Sequence, residues 1–215
     1  RAKAIKFKKG EVGMGEQVLA STDVHGSLAA IPIVVQAVNA VNHTKPARAL
    51  MEKALGVDRN AWLPDLATKK FRSSAPDSAG HPVRDGAKTP GKVVIYSTCY
   101  INYNEPGIGM DLLKLLDHNA VPYVLALKEK CCGMPKLELG DLQSVDDNKQ
   151  VNIPILAKYA RDGFAILSAV PSCTLMYKQE LPLMYPDDAE VKLVQEAMWD
   201  PFEYFMARKR DGLLK

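Results

Sequence analysis

The sequence predicts an α/β protein in which helices cover a small parallel sheet and a helical segment precedes it. Three short apolar runs, at residues 93–96, 123–127 and 164–167, alternate with stretches of helical periodicity. This alternation is typical of right-handed crossovers between parallel strands. The composition agrees, because 47% hydrophobic and 25% charged residues over 215 positions supply enough apolar surface for a folded core.

The first part of the chain, residues 1–71, is predicted to be helical. Thr22 and Asp23 are candidate caps of one helix, whose apolar positions recur at helical spacing as far as about residue 42. Pro46 suits the first turn of a second helix, and Gly56 suits the position just after its end. This part is therefore predicted to be a helical segment that precedes the sheet.

Two boundaries follow from composition. Residues 72–91 are rich in proline, glycine and serine and nearly free of large apolar side chains, so they are predicted to be a linker. Residues 92–215 form the second predicted domain. Its tail, residues 188–210, shows an apolar stripe that predicts C-terminal helices.

Net charge and the distribution of apolar residues argue against several classes of protein. A net charge of +3 is too small to indicate a nucleic-acid partner. No run approaches the ~18 apolar residues that a membrane helix needs, and no apolar core follows the basic residues 1–9 as in a secretory signal. A cytoplasmic protein is expected. The chain begins with Arg1, from which we expect it to be a fragment.

The four cysteines follow the ends of the predicted strands. Cys99 comes directly after the first strand, Cys131 and Cys132 follow the second, and Cys173 follows the third. Because the carboxyl ends of parallel strands share one edge of a sheet, all four thiols are expected in one neighbourhood there. Adjacent cysteines pair only through a strained ring, so a disulfide between Cys131 and Cys132 is not expected.

Four converging thiols are compatible with several chemistries. Zinc and iron–sulfur clusters both accept four cysteine ligands, and predicted helix starts near Gly107 and Ser172 would favour thiolates. Two alternatives stay open: a thiol–disulfide redox protein, and buried cysteines that serve only as small apolar side chains.

Polar and aromatic side chains elsewhere in the sequence have different expected places. The scattered histidines are not expected to be ligands: His25, His43, His81 and His118. The acidic residues near the cysteine loops are expected on the solvated surface: Glu105, Asp141 and Glu180. Two tyrosines and a methionine are expected to flank the site and shield it from water: Tyr100, Tyr103 and Met134.

At Cys99, Cys131-Cys132-Gly133 and Cys173 the sequence resembles the CCG-type cysteine-rich domain. The B subunit of heterodisulfide reductase, the C subunit of anaerobic glycerol-3-phosphate dehydrogenase and the iron–sulfur subunit of glycolate oxidase share this domain. Its pattern is a cysteine after a strand, Cys-Cys-Gly about thirty residues later, and Cys-x-x-Cys about forty residues after that. Here the intervals are 31 and 40 residues. The strings STCYINYNEPGIG, CCGMPKLELGDL and PSCTLMYKQELP are similar to heterodisulfide-reductase-related iron–sulfur oxidoreductases. The helical residues 1–71 resemble the connector segment that follows a ferredoxin-like domain in those proteins.

The resemblance implies an iron–sulfur electron-transfer subunit with a 4Fe–4S cluster, cubane or non-cubane, as its cofactor. Its ligands would be Cys99, Cys131, Cys132 and Cys173, and Val170 stands where the family has a fifth cysteine. The implied partner is a redox protein, such as a flavin dehydrogenase subunit or a ferredoxin-like domain, and the electron acceptor a quinone or a disulfide. The implied location is the cytoplasm, including attachment to the inner face of the cell membrane through partners. Air exposure can remove such a cluster. A zinc-binding or metal-free interaction domain of a larger complex is the further alternative.

Overall fold

The computed structural model describes residues 2–22, 26 and 32–215. The N-terminal helices are α1 (Ala2–Lys8), α2 (Met14–Leu19), α3 (Pro32–His43) and α4 (Lys45–Leu55). The remaining elements are, in order, α5 (Phe71–Ser74), β1 (Ser78–Ala79), β2 (Val93–Ile95), α6 (Cys99–Tyr103), α7 (Pro106–His118), β3 (Tyr123–Leu125), α8 (Met134–Leu139), α9 (Leu142–Arg161), β4 (Ala165–Leu167), α10 (Pro171–Leu175), a π-helical turn (Met176–Glu180), α11 (Leu181–Met184), α12 (Ala189–Ala197), β5 (Met198–Trp199) and α13 (Pro201–Arg210).

One sheet of five strands organises the second half of the chain, in the order β1-β3-β2-β4-β5. The three predicted strands lie side by side at its centre and are parallel: Val93 is in register with Tyr123 on one side and with Ala165 on the other. The edge strand β1 is antiparallel, and β5 is parallel to β4. The predicted α/β fold with a small parallel sheet is therefore confirmed.

Alternate residues of each strand point to opposite faces of the sheet. Both faces are buried, because each is covered by an apolar cluster. Val94 and Tyr96 belong to one apolar cluster, which is covered by α9 and α12. Val93 and Ile95 belong to the other, which is covered mainly by α7. Central strands buried on both faces explain why they appear in the sequence as continuous apolar runs.

The N-terminal helices match the predicted pattern where the structure describes it. Helix α4 carries Pro46 in its first turn and ends at Gly56, whose φ of 69° is a left-handed conformation that favours glycine. Helix α3 begins at Pro32. The predicted cap at Asp23 lies outside the described residues, and Thr22 lies beside the cysteines.

The segment predicted to be a linker makes contacts with the sheet and with α13. Strand β1 pairs with β3, and the carbonyl oxygen of Arg84 accepts a hydrogen bond from Arg208 Nη1 at 2.6 Å. Asp85 accepts one from the backbone N–H of Gly91 at 2.7 Å. The division of the chain at residues 72–91 stays a prediction.

The tail differs from the single apolar stripe predicted over residues 188–210. Strand β5 separates α12 from α13 and pairs with β4. Asp200 then caps α13 by accepting from the backbone N–H groups of Phe202 and Glu203, and Pro201 occupies its first turn. An aspartate followed by proline is thus the local signal for the break. Among the helices of the described residues, none is long and apolar enough to cross a bilayer.

Candidate functional site

The structure brings the four cysteines together at the carboxyl edge of β2, β3 and β4. Cys99 Sγ and Cys131 Sγ lie 3.7 Å apart. The thiols of Cys131 and Cys132 contact each other, and Cys132 also contacts Cys173. All four are free thiols, and three of them are buried, with Cys99 partly exposed. The parallel topology therefore produces the expected convergence.

Hydrogen bonds between the thiols concentrate negative charge on Cys131. The Cys132 and Cys99 thiols, with help from the Thr22 hydroxyl and the Gly133 backbone N–H, hold the pKa of Cys131 far below its ordinary value. The pKa of Cys99 is raised by its bond to Cys131 and by burial. Contacts with the neighbouring thiols, followed by burial, raise the pKa of Cys132 as well. Cys131 is therefore the sulfur that accepts hydrogen bonds from its neighbouring thiols.

Short helices begin at the cysteines. Helix α6 starts at Cys99 itself, α8 starts just after Gly133, and α10 contains Cys173 in its first turn. Helix starts carry partial positive charge and favour thiolates. A helix begins beside Ser172, as expected, because α10 starts at Pro171. Gly107 belongs instead to α7, beyond α6, and does not line the cavity beside the thiols.

The loops that carry the thiols contain residues with positive φ. Thr98, just before Cys99, has φ 60°, and Lys128, after β3, has φ 55°. Such conformations cost free energy in non-glycine residues and persist where surrounding structure enforces them. The Thr98 side chain accepts a hydrogen bond from the backbone N–H of Ile101 at 3.2 Å and caps α6. This bond helps to hold the strained turn that places Cys99.

Gly133 provides a first test of this loop. Its φ of 94° lies in the left-handed region, while an added Cβ would meet Val145 only at an ordinary 3.6 Å. We expect Gly133→Ala to lower the free energy of unfolding by about 1 kcal/mol, from conformational strain alone. Urea denaturation measures this. Gly80→Ala, a position without positive φ and with open space around it, is the control and should be neutral.

A buried asparagine clamps the loop of the vicinal pair, and sequence reasoning missed it. Asn152 of α9 accepts from the backbone N–H of Lys130 at 2.8 Å. It donates to the carbonyl oxygens of Lys130 and Cys131, at 3.2 and 3.1 Å. These three bonds fix the backbone from which Cys131 and Cys132 project. No periodic signal could have found it, because the partners lie 22 and 21 residues away.

Asn152→Ala should therefore remove the hydrogen bonds that fix the backbone at Lys130 and Cys131. Three buried backbone groups lose their partner, and we expect the free energy of unfolding to fall by about 2 kcal/mol. Denaturant titration of the metal-free chain gives the value. Gln150→Ala on the solvent side of the same helix, where the side chain reaches Asp146 at 3.5 Å, serves as the control. An equal effect of the two substitutions would contradict the clamp.

A second unpredicted contact joins two strand ends. The Glu129 carboxylate accepts from Arg72 Nη1 at 2.7 and 2.9 Å and from the backbone N–H of Ser97 at 3.2 Å. The Glu129 side chain is 7% exposed and that of Arg72 29%. Glu129 thus ties the loop after β3 to the end of β2 through Ser97, and to α5 through its largely buried ion pair with Arg72, next to Cys99 and Cys131.

A cavity of about 470 Å³ opens in front of the thiols. Its lining is mostly apolar and includes Cys99, Cys132 and Cys173. Tyr100 and Tyr103 line it as expected, and Met134 packs against the apolar cluster that contains the vicinal cysteines. The far side of the cavity comes from the N-terminal helices, which sequence reasoning had kept apart from the site.

Val170 lies at the cavity wall, at the position just before α10. Its side chain cannot bind a metal, so the cysteines supply four thiols at this edge and position 170 supplies none. A smaller pocket behind Cys131 is lined by Lys130, Lys136 and Thr22. These two lysines line the same pocket as Cys131.

The remaining candidates lie elsewhere. His43 pairs with Asp65 at 2.8 Å and His81 with Asp117 at 3.0 Å, while His25 is outside the described residues. Asp141, expected on the solvated surface, is instead buried, because it caps α9 by accepting from the backbone N–H of Ser144. Two side chains do not line the cavity: His118, in the last turn of α7, and Glu180, in the π-helical turn. Glu105 is exposed.

Within the described part of the chain, no group of three or more His, Cys, Asp and Glu side chains is arranged to hold a single metal ion. The thiols instead interact with one another: Cys99 with Cys131, Cys131 with Cys132, and Cys132 with Cys173. A polynuclear cluster places different demands on its ligands from a single metal ion, because each thiolate binds its own iron. Four soft sulfur donors beside a cavity larger than one ion fit such a group by their chemistry.

Comparison with known proteins agrees with this geometry. Residues 93–178 match the CCG family, described as "Cysteine-rich domain". Over 185 residues the chain is 29% identical to the C subunit of anaerobic glycerol-3-phosphate dehydrogenase from two strains of Escherichia coli, covering 85% of this chain and 44% of that protein. It is 24% identical over 137 residues to the B subunit of fumarate reductase (CoM/CoB) from Methanothermobacter marburgensis, covering 63% and 27%. The chain thus spans less than half the length of these relatives. No solved structure shows a significant match.

Proposed function

We propose that this chain is the iron–sulfur electron-transfer part of an oxidoreductase, because its residues 93–178 match the CCG family model. The relatives named above are subunits of a dehydrogenase and of a reductase. The observation that carries the proposal is the convergence of all four cysteines on one edge of the sheet, from three separate loops.

Cys99, Cys131, Cys132 and Cys173 would hold a 4Fe–4S cluster as thiolates. When bound, such a cluster supplies one-electron transfer at a potential set by ligands, hydrogen bonds and exposure. The protein contributes the rest: Asn152 and Gly133 shape the loop of the vicinal pair, and the apolar cavity wall keeps water from the sulfurs. Because Val170 provides no fifth thiolate, we propose the cubane form of the cluster.

Partners and location are part of the same proposal. An electron-transfer subunit needs a donor and an acceptor, which we propose to be a flavin dehydrogenase subunit or ferredoxin-like domain on one side and a quinone or disulfide on the other. We place the chain in the cytoplasm, including attachment to the inner face of the membrane through such partners.

Anaerobic reconstitution with iron and sulfide tests the proposal. The loaded chain should show a broad absorbance near ~400 nm from thiolate-to-iron charge transfer, an EPR signal after reduction, and equal amounts of iron and acid-labile sulfide. A chain that stays colourless under these conditions, or takes up zinc without sulfide, would contradict it. A sample prepared in air is not the test, because air removes such clusters.

A thiol–disulfide function is the second candidate, and the 3.7 Å separation of Cys99 Sγ and Cys131 Sγ favours it. In that case the two thiols would give two electrons and two protons to the disulfide of a partner, leaving a Cys99–Cys131 disulfide and two partner thiols. Thiol counts separate the candidates. Four thiols under reductant and two after mild oxidation, without iron uptake, would favour the disulfide function.

A further inference from the structure

A second, smaller opening of about 90 Å³ also reaches the thiols, apart from the apolar cavity. Cys99 and Cys131 line it, and Cys99 is the partly exposed member of the four cysteines. Electron transfer between proteins requires the two redox centres to come close together. This opening therefore brings a partner's surface within reach of the proposed centre.

Positive charge surrounds this opening. Arg72, Lys128 and Lys130 line it, and Glu129 is the one carboxylate among its described lining residues. The Glu129 side chain is 7% exposed and is bonded to Arg72. Both lysines are exposed, and no carboxylate of the described lining is left to offset their charge. The apolar cavity differs, because none of the described residues that line it is charged.

The backbone at this opening is held in an unusual conformation. Three non-glycine residues of the described chain have positive φ, and two of them, Thr98 at 60° and Lys128 at 55°, line the opening. Such positions cost free energy and are concentrated at functional sites. The backbone of Lys130 is fixed as well, since Asn152 bonds to both its N–H and its carbonyl oxygen. The two lysines therefore extend from a preformed loop.

The surroundings of the opening suit a protein partner. Leu127, which directly precedes Lys128, is 64% exposed and offers apolar contact. Lys70 adds a further positive charge, with its Nζ 4.9 Å from the ring centroid of Tyr103, which also lines the opening. Protein interfaces combine apolar contact with charged groups, and complementary charges speed the encounter. The complement of this lysine-rich surface is an acidic one.

Building on the proposed function, we propose that the redox protein that gives electrons to this chain docks over the opening at Lys128 and Lys130, with an acidic docking face. One electron passes from the partner's reduced centre to the cluster. The partner is oxidised, the cluster is reduced, and no covalent bond forms or breaks. Opposite charges on the two surfaces orient the encounter and raise the association rate.

Small charged oxidants test where electrons cross the surface. The reduced, reconstituted chain is mixed anaerobically with hexacyanoferrate(III), a trianion, or with tris(phenanthroline)cobalt(III), a trication, and stopped-flow absorbance follows oxidation per loaded cluster. At low ionic strength, Lys128→Gln/Lys130→Gln should slow the reaction with the anion by about tenfold and should not slow the reaction with the cation. The difference should shrink as salt is added.

Lys88→Gln/Lys209→Gln is the matched control, because it also removes two exposed positive charges. Lys88 lies in the segment before β2. Lys209 lies in the last turn of α13, where the adjacent Arg208 bonds to that same segment. Both therefore lie towards the amino end of β2, whereas the thiols lie at the carboxyl edge. The control should react with both oxidants at the rates of the unaltered chain.

A plant-type ferredoxin, chosen as an acidic one-electron carrier, tests the docking of a protein. Isothermal titration calorimetry of the oxidised, reconstituted chain at low ionic strength should show binding. The affinity should fall by about tenfold in Lys128→Gln/Lys130→Gln. It should be unchanged in Lys88→Gln/Lys209→Gln.

The possible failures are distinguishable. If the unaltered chain takes up no iron and sulfide, the proposed function is wrong and this inference falls with it. If the chain loads but the two double variants affect the reaction with the anion equally, or neither affects it, the docking surface lies elsewhere. If the reaction with the anion responds as expected but the ferredoxin does not bind, the opening admits small anions rather than an acidic protein, which also overturns the proposal.

Discussion

Cys132→Ser is expected to abolish the ~400 nm absorbance of the anaerobically reconstituted chain. Cys132 interacts with both Cys131 and Cys173, and it is almost completely buried. Serine removes one of the four proposed ligands at a buried position where solvent cannot replace it. We expect iron and sulfide to fall to background, measured by chemical assay and optical spectroscopy on the same sample.

His81→Ala is the control for this experiment. His81 contacts Asp117 on the surface and takes no part in the thiol site, so the spectrum and the iron content should match those of the unaltered chain. Full absorbance and full iron content in Cys132→Ser would show that Cys132 is not a ligand, and the proposed ligand set would be wrong.

Arg72→Met is expected to lower the free energy of unfolding of the metal-free chain by about 3 kcal/mol, because it leaves the buried Glu129 carboxylate without its cation. Methionine retains most of the apolar stem, so the loss reports the charge rather than packing. Chemical denaturation of Arg72→Met, Glu129→Gln and the double variant provides the coupling energy between the two side chains.

The exposed pair Lys114–Asp111 offers a contrast, since both side chains are more than 70% exposed. Lys114→Met should cause no measurable loss, because exposed ion pairs contribute little. The outcome would contradict this account if Arg72→Met also left the free energy of unfolding unchanged, or if the two single effects simply added in the double variant. In either case the Arg72–Glu129 ion pair would not stabilise the fold.

The central fold and the position of the cysteines could be predicted because both depend on local pattern. Strands buried on both faces appear as apolar runs, and parallel strands place the loops at their carboxyl ends along one edge. The convergence of Cys99, Cys131, Cys132 and Cys173 is predictable on this reasoning alone. Gly56 and Pro46 likewise carry a local conformational preference that marks the ends of a helix.

The supporting residues could not be predicted, because their contacts are distant in sequence. Asn152 and Glu129 are ordinary polar residues in the pattern of α9 and of a loop, and Arg72 stands at the start of a segment interpreted as a linker. Only the packed structure shows which polar atoms meet.

The interruption between α12 and α13 could have been predicted from the sequence. Asp200 followed by Pro201 is a helix-start signal, but the continuing apolar stripe outweighed it. Strand β5 has only two residues, which is too few to show a periodic pattern in the sequence. Pairing with β4 stabilises them in the strand.

Native mass spectrometry of the anaerobically reconstituted chain tests most directly whether four separate sulfurs bind one inorganic centre. We expect a single added mass per polypeptide, equal to about four irons and four sulfides. The same increment should be missing from each of the four single cysteine-to-serine variants. An increment of one zinc, no increment, or a full cluster in any of those variants would contradict the account.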